Sequence, residues 1–197
     1  MSASEQATPN NHRIALGIEY DGSPYSGWQK QKLPQQETIQ KHIETALSKV
    51  ADRDVVVSCA GRTDAGVHAT CQVVHFDTEI DRGAKAWTQG VNSMLPRTIR
   101  VVWSRLQDDD FHARFSALSR RYLYLMYWRD TQSAILHRRA SYFRRELDAV
   151  SMHSAAQHFL GEQDFTSFRA AGCQSKTAMR NVMHANVYRR GGFLIFD

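Results

Sequence analysis

The spacing of apolar residues changes period several times along the chain, and the order of those changes restricts the fold more than any single motif does. Alternation with small or polar residues is the two-residue period of a half-buried strand, whereas a spacing of three or four residues marks one face of a helix. The first half therefore contains, in order, a strand over 14–20, a helix over 38–50, strands over 55–60 and 72–76, a helix over 84–95 ended by Pro96, and a strand over 99–106. This β-α-β-β-α-β order predicts a ferredoxin-like, or split βαβ, unit of the α+β class.

After an acidic break at 108–110 the pattern starts again. It predicts strands near 120–128 and 140–144, a helix over 152–160 that Asp148 caps, and a hairpin made of strands 181–188 and 193–196. The predicted domains are a disordered tail over 1–12, an N-terminal domain over 13–110 and a C-terminal domain over 111–197. Because the second domain ends without a covering helix and a closing strand, we expect it to be truncated at its C-terminus, the alternative being a fold that closes in an unusual way.

Arginine is concentrated in one part of the second half. The segment 112–145 contains eight arginines and a single acidic residue, Asp130, although the net charge of the whole chain is only +5. Tyrosine, tryptophan and phenylalanine are interleaved with these arginines. Guanidinium groups beside aromatic rings suit phosphates and unstacked bases, so the segment favours an RNA partner. The alternative is a solvated basic surface that binds nothing.

Cysteine usage and the absence of long apolar runs restrict the compartment. Cys59, Cys71 and Cys173 cannot all pair and show no Cys-x-x-Cys spacing, which disfavours a disulfide framework and a structural zinc site. His68, Cys71 and His75 have a spacing that could suggest a metal, but strand alternation would divide them between two faces. No apolar run reaches bilayer length, and residues 1–11 lack a secretory core. We therefore expect a cytoplasmic protein with no membrane partner and no metal.

One carboxylate stands out in the loop between strands 55–60 and 72–76. Asp64 lies between Gly61 and Gly66, and glycine lets a tight bend present a side chain to a ligand. Arg62 precedes it by two residues and could keep the carboxylate ionised, bind phosphate or occupy the space of a displaced base. The loop is the predicted site of the chemistry. The alternative is a hairpin turn in which Asp64 only bonds its own backbone.

The residues around Asp64 resemble a known active-site motif. The segment 61–68, Gly-Arg-Thr-Asp-Ala-Gly-Val-His, is similar to that of the TruA family of tRNA pseudouridine synthases. Further blocks agree in order, so that the resemblance covers nearly all of the chain after His12. They are Tyr20-Asp21-Gly22, Gly27-Trp28-Gln29, Val91-Asn92-Ser93, Leu95-Pro96, the segment 111–117, Arg121-Tyr122, Asp164-Phe165 and Ser167-Phe168.

The resemblance implies both a fold and a reaction. The fold is two ferredoxin-like halves with antiparallel sheets and a basic cleft between them, commonly assembled as a homodimer. The reaction is the isomerisation of uridine to pseudouridine at positions 38, 39 and 40 in the anticodon stem-loop of tRNA. On this chain the nucleophile of the family maps onto Asp64, and the tyrosine that stacks on the target uracil maps onto Tyr122. Family members also continue past the equivalent of Asp197.

The chemistry of that reaction agrees with the residues present. Uridine becomes pseudouridine when the N-glycosidic bond breaks and the base is rejoined through carbon, with no redox change and no group lost, so no cofactor is required. A carboxylate such as Asp64 can add covalently to C1′ of the ribose or to C6 of the base, and the sequence leaves both open. The target base must leave its stack, and stacking on Tyr122 would offset about 1–3 kcal/mol of that cost. We expect Tyr122 and Arg62 to bind substrate.

Two other functions fit parts of the sequence. A non-catalytic RNA-binding module could also combine a ferredoxin-like sheet with surface aromatics, and it would not need the Asp64 carboxylate. A hydrolase could use Asp64 to attack a phosphate or a glycoside, but such an enzyme normally needs a metal or a second acid, and no paired carboxylate lies in the loop. The hydrolase would release free uracil or phosphate.

Overall fold

The computed structural model describes residues 11–31, 36–169 and 177–197. The chain divides into two compact units, one up to Arg120 and one from Arg121 to Asp197. This division falls ten residues after the predicted one and groups 111–120 with the first unit. The functional division at residue 110 stays a prediction, and most of the predicted tail lies outside the described residues.

The first unit is a four-stranded sheet with helices. Its elements are β1 (His12–Tyr20), α1 (Ile39–Ala51), β2 (Ser58–Cys59), β3 (Ala69–Thr78), the helical segments α2 (Gly83–Lys85) and α3 (Val91–Met94) joined by a π-helical turn at Ala86–Gly90, and β4 (Ile99–Gln107). The strand order is β2-β3-β1-β4, and each neighbouring pair is antiparallel. The predicted order of strands and helices is confirmed for this unit.

A continuous apolar core supports the sheet of the first unit. Leu16 and Ile18 of β1 are fully buried, and Ile43 and Leu47 of α1 are buried in the same cluster. Each such side chain contributes about 1.5–3 kcal/mol on burial. Strand β1 is hydrogen-bonded to β3 on one side and to β4 on the other. The sheet therefore holds the ends of these strands, and the loops attached to them, in place.

Two predictions for the first unit need correction in detail. The helix predicted over 84–95 is interrupted by the π-helical turn, in which Trp87 is buried edge-to-face on Phe76 with ring centroids 5.1 Å apart. A π-helical turn adds one residue to a helical turn. This changes the spacing of the apolar residues too little for the turn to be predicted from the sequence. The strand predicted over 55–60 is shorter, since it forms only at β2 with one further backbone bond from Ala60. Val55 and Val57 are buried by packing in the core rather than by strand pairing.

The second unit has two sheets. Its elements are β5 (Tyr124–Trp128), β6 (Ser141–Phe143), α4 (Ala149–Ala156), 3₁₀ turns at Gln157–Phe159 and Thr166–Phe168, and the strands β7 (Gly161–Asp164), β8 (Met179–Val182), β9 (Val187–Arg190) and β10 (Phe193–Phe196). One sheet has the order β6-β5-β10-β9, and β7 pairs with β8 separately. The expected antiparallel pairing holds in the described residues except between β5 and β6, which are parallel.

The predictions for the second unit are partly confirmed. Asp148 caps α4 as expected, since its carboxylate accepts hydrogen bonds from the backbone N–H groups of Val150 and Ser151. The β9–β10 hairpin is also confirmed, with Gly191 at φ +58° in its turn. The strand predicted over 181–188 is wrong, because β8 leaves to pair with β7 and β9 begins only at Val187.

The core of the second unit is small and centres on Met126 and Leu194. The strand predicted from residue 120 begins at Tyr124, and residues 120–123 belong to no strand or helix. None of the helices in the described ranges combines the length and the apolar character needed to cross a bilayer.

Candidate active site

The loop between β2 and β3 presents Asp64 at the surface of the first unit. The side chain is exposed, and the backbone N–H of Val67 donates to the main-chain oxygen of Asp64 at 3.2 Å. Gly66, the third residue of this four-residue turn, has φ +80°. A positive φ at that position is the signature of a type II turn and explains why glycine is found there. The turn therefore holds the residue by its backbone.

Other aspartates in the chain use their carboxylates differently. The carboxylate of Asp81 accepts a hydrogen bond from Gly83 N–H at 2.8 Å, and that of Asp164 accepts one from Thr166 N–H at 2.9 Å. These are the local side-chain-to-backbone bonds that usually explain an aspartate in a turn. At Asp64 the turn is closed by the main-chain oxygen, a bond that does not use the carboxylate.

Gln72 of β3 clamps the first arm of the loop. Its side-chain amide donates to the carbonyl oxygen of Gly61 and accepts from Gly61 N–H at 3.4 Å. The N–H of Ala60 donates to Val73 O at 2.8 Å, which continues the strand ladder up to the loop. Gln72 is only 9% exposed, so this amide pair is sheltered from water. The arm that leads to Asp64 is consequently rigid.

The end of β1 and the segment that follows it clamp the rest of the loop. The Tyr20 hydroxyl lies 2.8 Å from Thr63 Oγ1, and the N–H of Trp28 donates to Thr63 O at 2.9 Å. A Cβ atom at Gly22 would overlap the main-chain oxygen of Val67, so only glycine permits the two loops to lie this close. Since Tyr20 and Trp28 are buried in the core, they tie the loop to the rigid part of the unit.

Three arginines surround the base of the loop. The guanidinium of Arg120 donates to Ala60 O, at 3.0 Å from Nε, and also to Arg114 O at 3.3 Å. Burial raises the pKa of the Cys59 thiol, and the positive charges of Arg62, Arg114 and Arg120 oppose that rise. The loop therefore leaves the sheet in a positive electrostatic environment. Arg62 itself is exposed, like Asp64.

The two histidines of the loop region have separate structural surroundings. His68 Nδ1 lies 3.3 Å from Gly22 N and 3.2 Å from Asp21 Oδ1, so it can accept from the first or, when protonated, donate to the second. His75 Nδ1 accepts from Ala113 N–H at 3.2 Å. In the ranges described, no group of three or more His, Cys, Asp or Glu side chains is arranged to hold a metal ion.

Tyr122 belongs to the second unit. It lies two residues before β5, and its side chain is 65% exposed. The preceding residue, Arg121, forms a two-point ion pair with Asp197, with 2.6 Å between Nε and Oδ1. This guanidinium lowers the pKa of the Asp197 carboxyl. Arg121 is thus committed to a structural pair, whereas the ring of Tyr122 is presented to solvent.

The residues that hold the loop were missed by reasoning from local pattern. The local sequence pattern predicts only a strand residue at Gln72 and the buried end of β1 at Tyr20. Their role depends on pairings with Gly61 and Thr63, and the latter lies 43 positions from Tyr20 in sequence. The one available signal was that the blocks at 20–22 and 27–29 resemble the same family as the loop motif does.

The fold and the site define an α+β protein that presents a single carboxylate on a clamped loop in a positive electrostatic environment. A family model described as tRNA pseudouridine synthase matches residues 17–116 and 155–197. The chain is also 54% identical over 194 residues to proteins named tRNA pseudouridine synthase A from Escherichia coli strain SMS-3-5, E. coli O157:H7 and Shigella dysenteriae serotype 1. These alignments cover 98% of this chain and 71% of each relative. The chain therefore belongs to the tRNA pseudouridine synthase family.

Proposed function

We propose that this chain is a tRNA pseudouridine synthase that converts uridine to pseudouridine at positions 38, 39 and 40 of the anticodon stem-loop, with Asp64 as the nucleophile. Membership of the family and the 54% identity to enzymes of that name support the activity. The observation that carries the role of Asp64 is its turn, which is closed by the main-chain oxygen and leaves an exposed carboxylate on a clamped backbone.

Asp64 acts by covalent catalysis in this proposal. Its ionised carboxylate adds to the target nucleoside at C1′ or C6, the N1–C1′ bond breaks, the uracil turns, and C5 bonds to C1′ as the carboxylate leaves. The C5 hydrogen is released as a proton and N1 gains one, so atoms and electrons balance without a cofactor. A nucleophile fixed by its backbone is suited to this chemistry, because the attacking oxygen must stay within about 3–3.5 Å of one atom.

Tyr122 and Arg62 bind the substrate in the same proposal. The target uridine is swung out of its stack at a cost of a few kcal/mol, and a tyrosine ring that is largely exposed can offset part of it by stacking. Arg62, exposed in the Asp64 loop, supplies positive charge to the carboxylate or to a phosphate. Arg114 and Arg120 add to the positive field that attracts RNA to this loop.

The finer structural and cellular statements are proposals as well. The antiparallel order β2-β3-β1-β4, combined with β-α-β-β-α-β connectivity, supports a ferredoxin-like first half, and we propose the same ancestry for the second. The homodimer and the cytoplasmic location follow from the family resemblance and from the tRNA substrate. Light scattering on the purified chain measures the first of these, and a mass of one chain at micromolar concentration would contradict it.

The decisive experiment replaces Asp64 with asparagine, which keeps the size of the side chain and removes its charge. The substrate is tRNA carrying tritium at C5 of uridine, since conversion to pseudouridine releases that hydrogen to water. We expect Asp64→Asn to lower turnover at least about 10³-fold, as loss of a nucleophile does, while tRNA affinity stays within about threefold.

Asp54→Asn is the matched control, because Asp54 is an exposed aspartate of the same unit outside the loop. It should release tritium at the wild-type rate. Normal turnover by Asp64→Asn would refute the nucleophile assignment, and a wild-type chain that binds tRNA without releasing tritium would favour the non-catalytic RNA-binding module. Release of free uracil would favour the hydrolase.

A further inference from the structure

Phe115 is a large apolar side chain at the surface of the first unit, near the Asp64 loop. Its side chain is 76% exposed, so it contributes little to the core. An isolated exposed apolar residue needs no explanation. Phe115 differs because the turn that carries it is held by hydrogen bonds on both sides and is linked to the catalytic loop.

His112 organises this turn. Its Nδ1 accepts from Arg114 N–H at 3.2 Å and from Phe115 N–H at 3.4 Å, while its main-chain oxygen accepts from Ser116 N–H at 2.8 Å. The N–H of His112 in turn donates to Ser116 Oγ at 2.9 Å. The turn is anchored on β3, since Ala113 N–H donates to the buried His75. The ring of Phe115 is therefore displayed on a backbone that has little freedom.

The ring itself is oriented by two neighbours. It lies against the imidazole of His112, with centroids 4.3 Å apart and planes inclined by 34°. The guanidinium carbon of Arg114 lies 5.7 Å from the ring centroid. A ring held in this way loses little entropy when a nucleobase stacks on it, and the adjacent guanidinium can bind the phosphate of the same nucleotide.

Arg120 links this turn to the Asp64 loop. Its guanidinium donates both to Arg114 O at 3.3 Å and to Ala60 O, one residue before Gly61. Arg114 is also close enough to the loop for its charge to act on Cys59. The exposed ring, two guanidinium groups and the catalytic loop thus form one connected surface within a single unit.

We propose that Phe115 stacks on an unpaired base of the anticodon loop that neighbours the target uridine, and that Arg114 binds its phosphate. The role rests on the proposed function, because it assigns Phe115 to binding the same RNA. It adds a second stacking position to the one expected at Tyr122. By fixing a base beside the target, Phe115 would help to determine which uridine reaches Asp64.

The test compares binding of an anticodon stem-loop RNA by the full chain carrying Phe115→Leu or Phe115→Trp. Leucine keeps apolar bulk without a ring, and tryptophan keeps a ring. We expect Phe115→Leu to weaken binding about 5- to 150-fold and Phe115→Trp to bind within about threefold of wild type. Val150→Ala, which truncates a 79% exposed apolar residue of the second unit outside the arginine-rich segment 112–145, is the control and should bind normally.

A set of RNAs with one loop base removed at a time identifies the partner. At the stacked position, loss of the base should weaken wild-type binding but leave Phe115→Leu unchanged, so that the two losses do not add. Equal binding by wild type and Phe115→Leu, or additive losses at every position, would overturn the proposal. Thermal unfolding within about 2 °C of wild type shows that the variant is folded.

These outcomes are separate from those of the proposed function. If the wild-type chain releases no tritium but the coupling between Phe115 and one base is observed, the isomerase assignment fails and the stacking assignment stands. If tritium release is normal but no coupling is observed at any base, the stacking assignment alone fails.

Discussion

Asp64 and Tyr122 are supported in opposite ways by the units that carry them. The loop of Asp64 is clamped through its backbone by Gln72 of β3 and by Trp28, and through the Thr63 side chain by Tyr20 of β1. Tyr122 lies just before β5, outside any strand or helix, and is 65% exposed. A nucleophile must meet one atom, whereas a stacking ring accepts any base, since every base has a π face. Rigidity is therefore concentrated at the residue proposed to form a bond.

Among variants that leave Asp64 and its charge in place, the largest effect should come from breaking the support of the loop at Gly22. A Cβ atom there would overlap Val67 O, so Gly22→Ala should push the turn away from β1. We expect tritium release to fall about 100-fold or more, since a displacement of about 1 Å can cost that much, and stability to fall by about 1–3 kcal/mol.

Gly192→Ala is the control for that variant, because a Cβ atom at Gly192 would meet nothing within 4 Å. Turnover and urea-induced unfolding are the measurements. Turnover by Gly22→Ala within twofold of wild type would show that the loop does not depend on this contact.

An intermediate effect is expected at Tyr122, on RNA binding alone. Tyr122→Leu should weaken stem-loop binding about 5- to 150-fold, and Tyr122→Phe, which keeps the ring, should bind within about twofold. Stability should not change in either variant, because the side chain is 65% exposed. Equal binding by the leucine variant would remove the stacking role, and a loss of stability would show that the segment is packed more firmly than described above.

The smallest effect concerns pH and the anchor at His75. Burial lowers the pKa of His75, and the charges of His112 and Arg13 act in the same direction. In the unfolded chain the His75 imidazole is protonated below about pH 6.5, whereas in the folded chain it is protonated only at a lower pH. The stabilisation is therefore complete above about pH 6.5 and is lost as pH falls through the folded pKa.

We expect His75 to lower the free energy of unfolding by no more than about 1.4 kcal/mol between pH 7.5 and 5.5. His75→Asn can still accept a hydrogen bond from Ala113 N–H and does not titrate, so its stability should vary less over that range. The carboxyl of Asp77, whose pKa is lowered by Arg13, acts only at more acidic pH. If the free energy of unfolding of His75→Asn depended on pH as that of the wild type does, His75 would be excluded as the source of the pH dependence.

The sequence predicted most of the fold of the first unit and part of that of the second. Strand β1 and helix α1 were predictable because their apolar residues keep one period over a long stretch, and the core selects for that period. The division of 181–188 into β8 and β9 was not, since it depends on pairing with β7 almost twenty residues away. Local propensity does not encode such a partner.

In the candidate site, too, features with a local sequence signal could be predicted and those that depend on distant contacts could not. Asp64 could be selected from its position between glycines in a loop, because that signal is local. The alternative of a self-bonded aspartate could be weighed only once the hydrogen bond from Val67 N–H to the main-chain oxygen was known. Gln72 and Gly22 had no local signal, since what they contribute is a contact with a distant part of the chain.

The clamping of the Asp64 loop has a consequence for protein engineering. Its main-chain oxygens are held by Gln72, Trp28 and Arg120, none of which lies within the loop. A designer who grafted residues 59–69 alone onto another hairpin would transfer the reactive group without the conformation that aims it. A portable version of this site would have to include Gln72, the end of β1, the segment at 27–28 and Arg120.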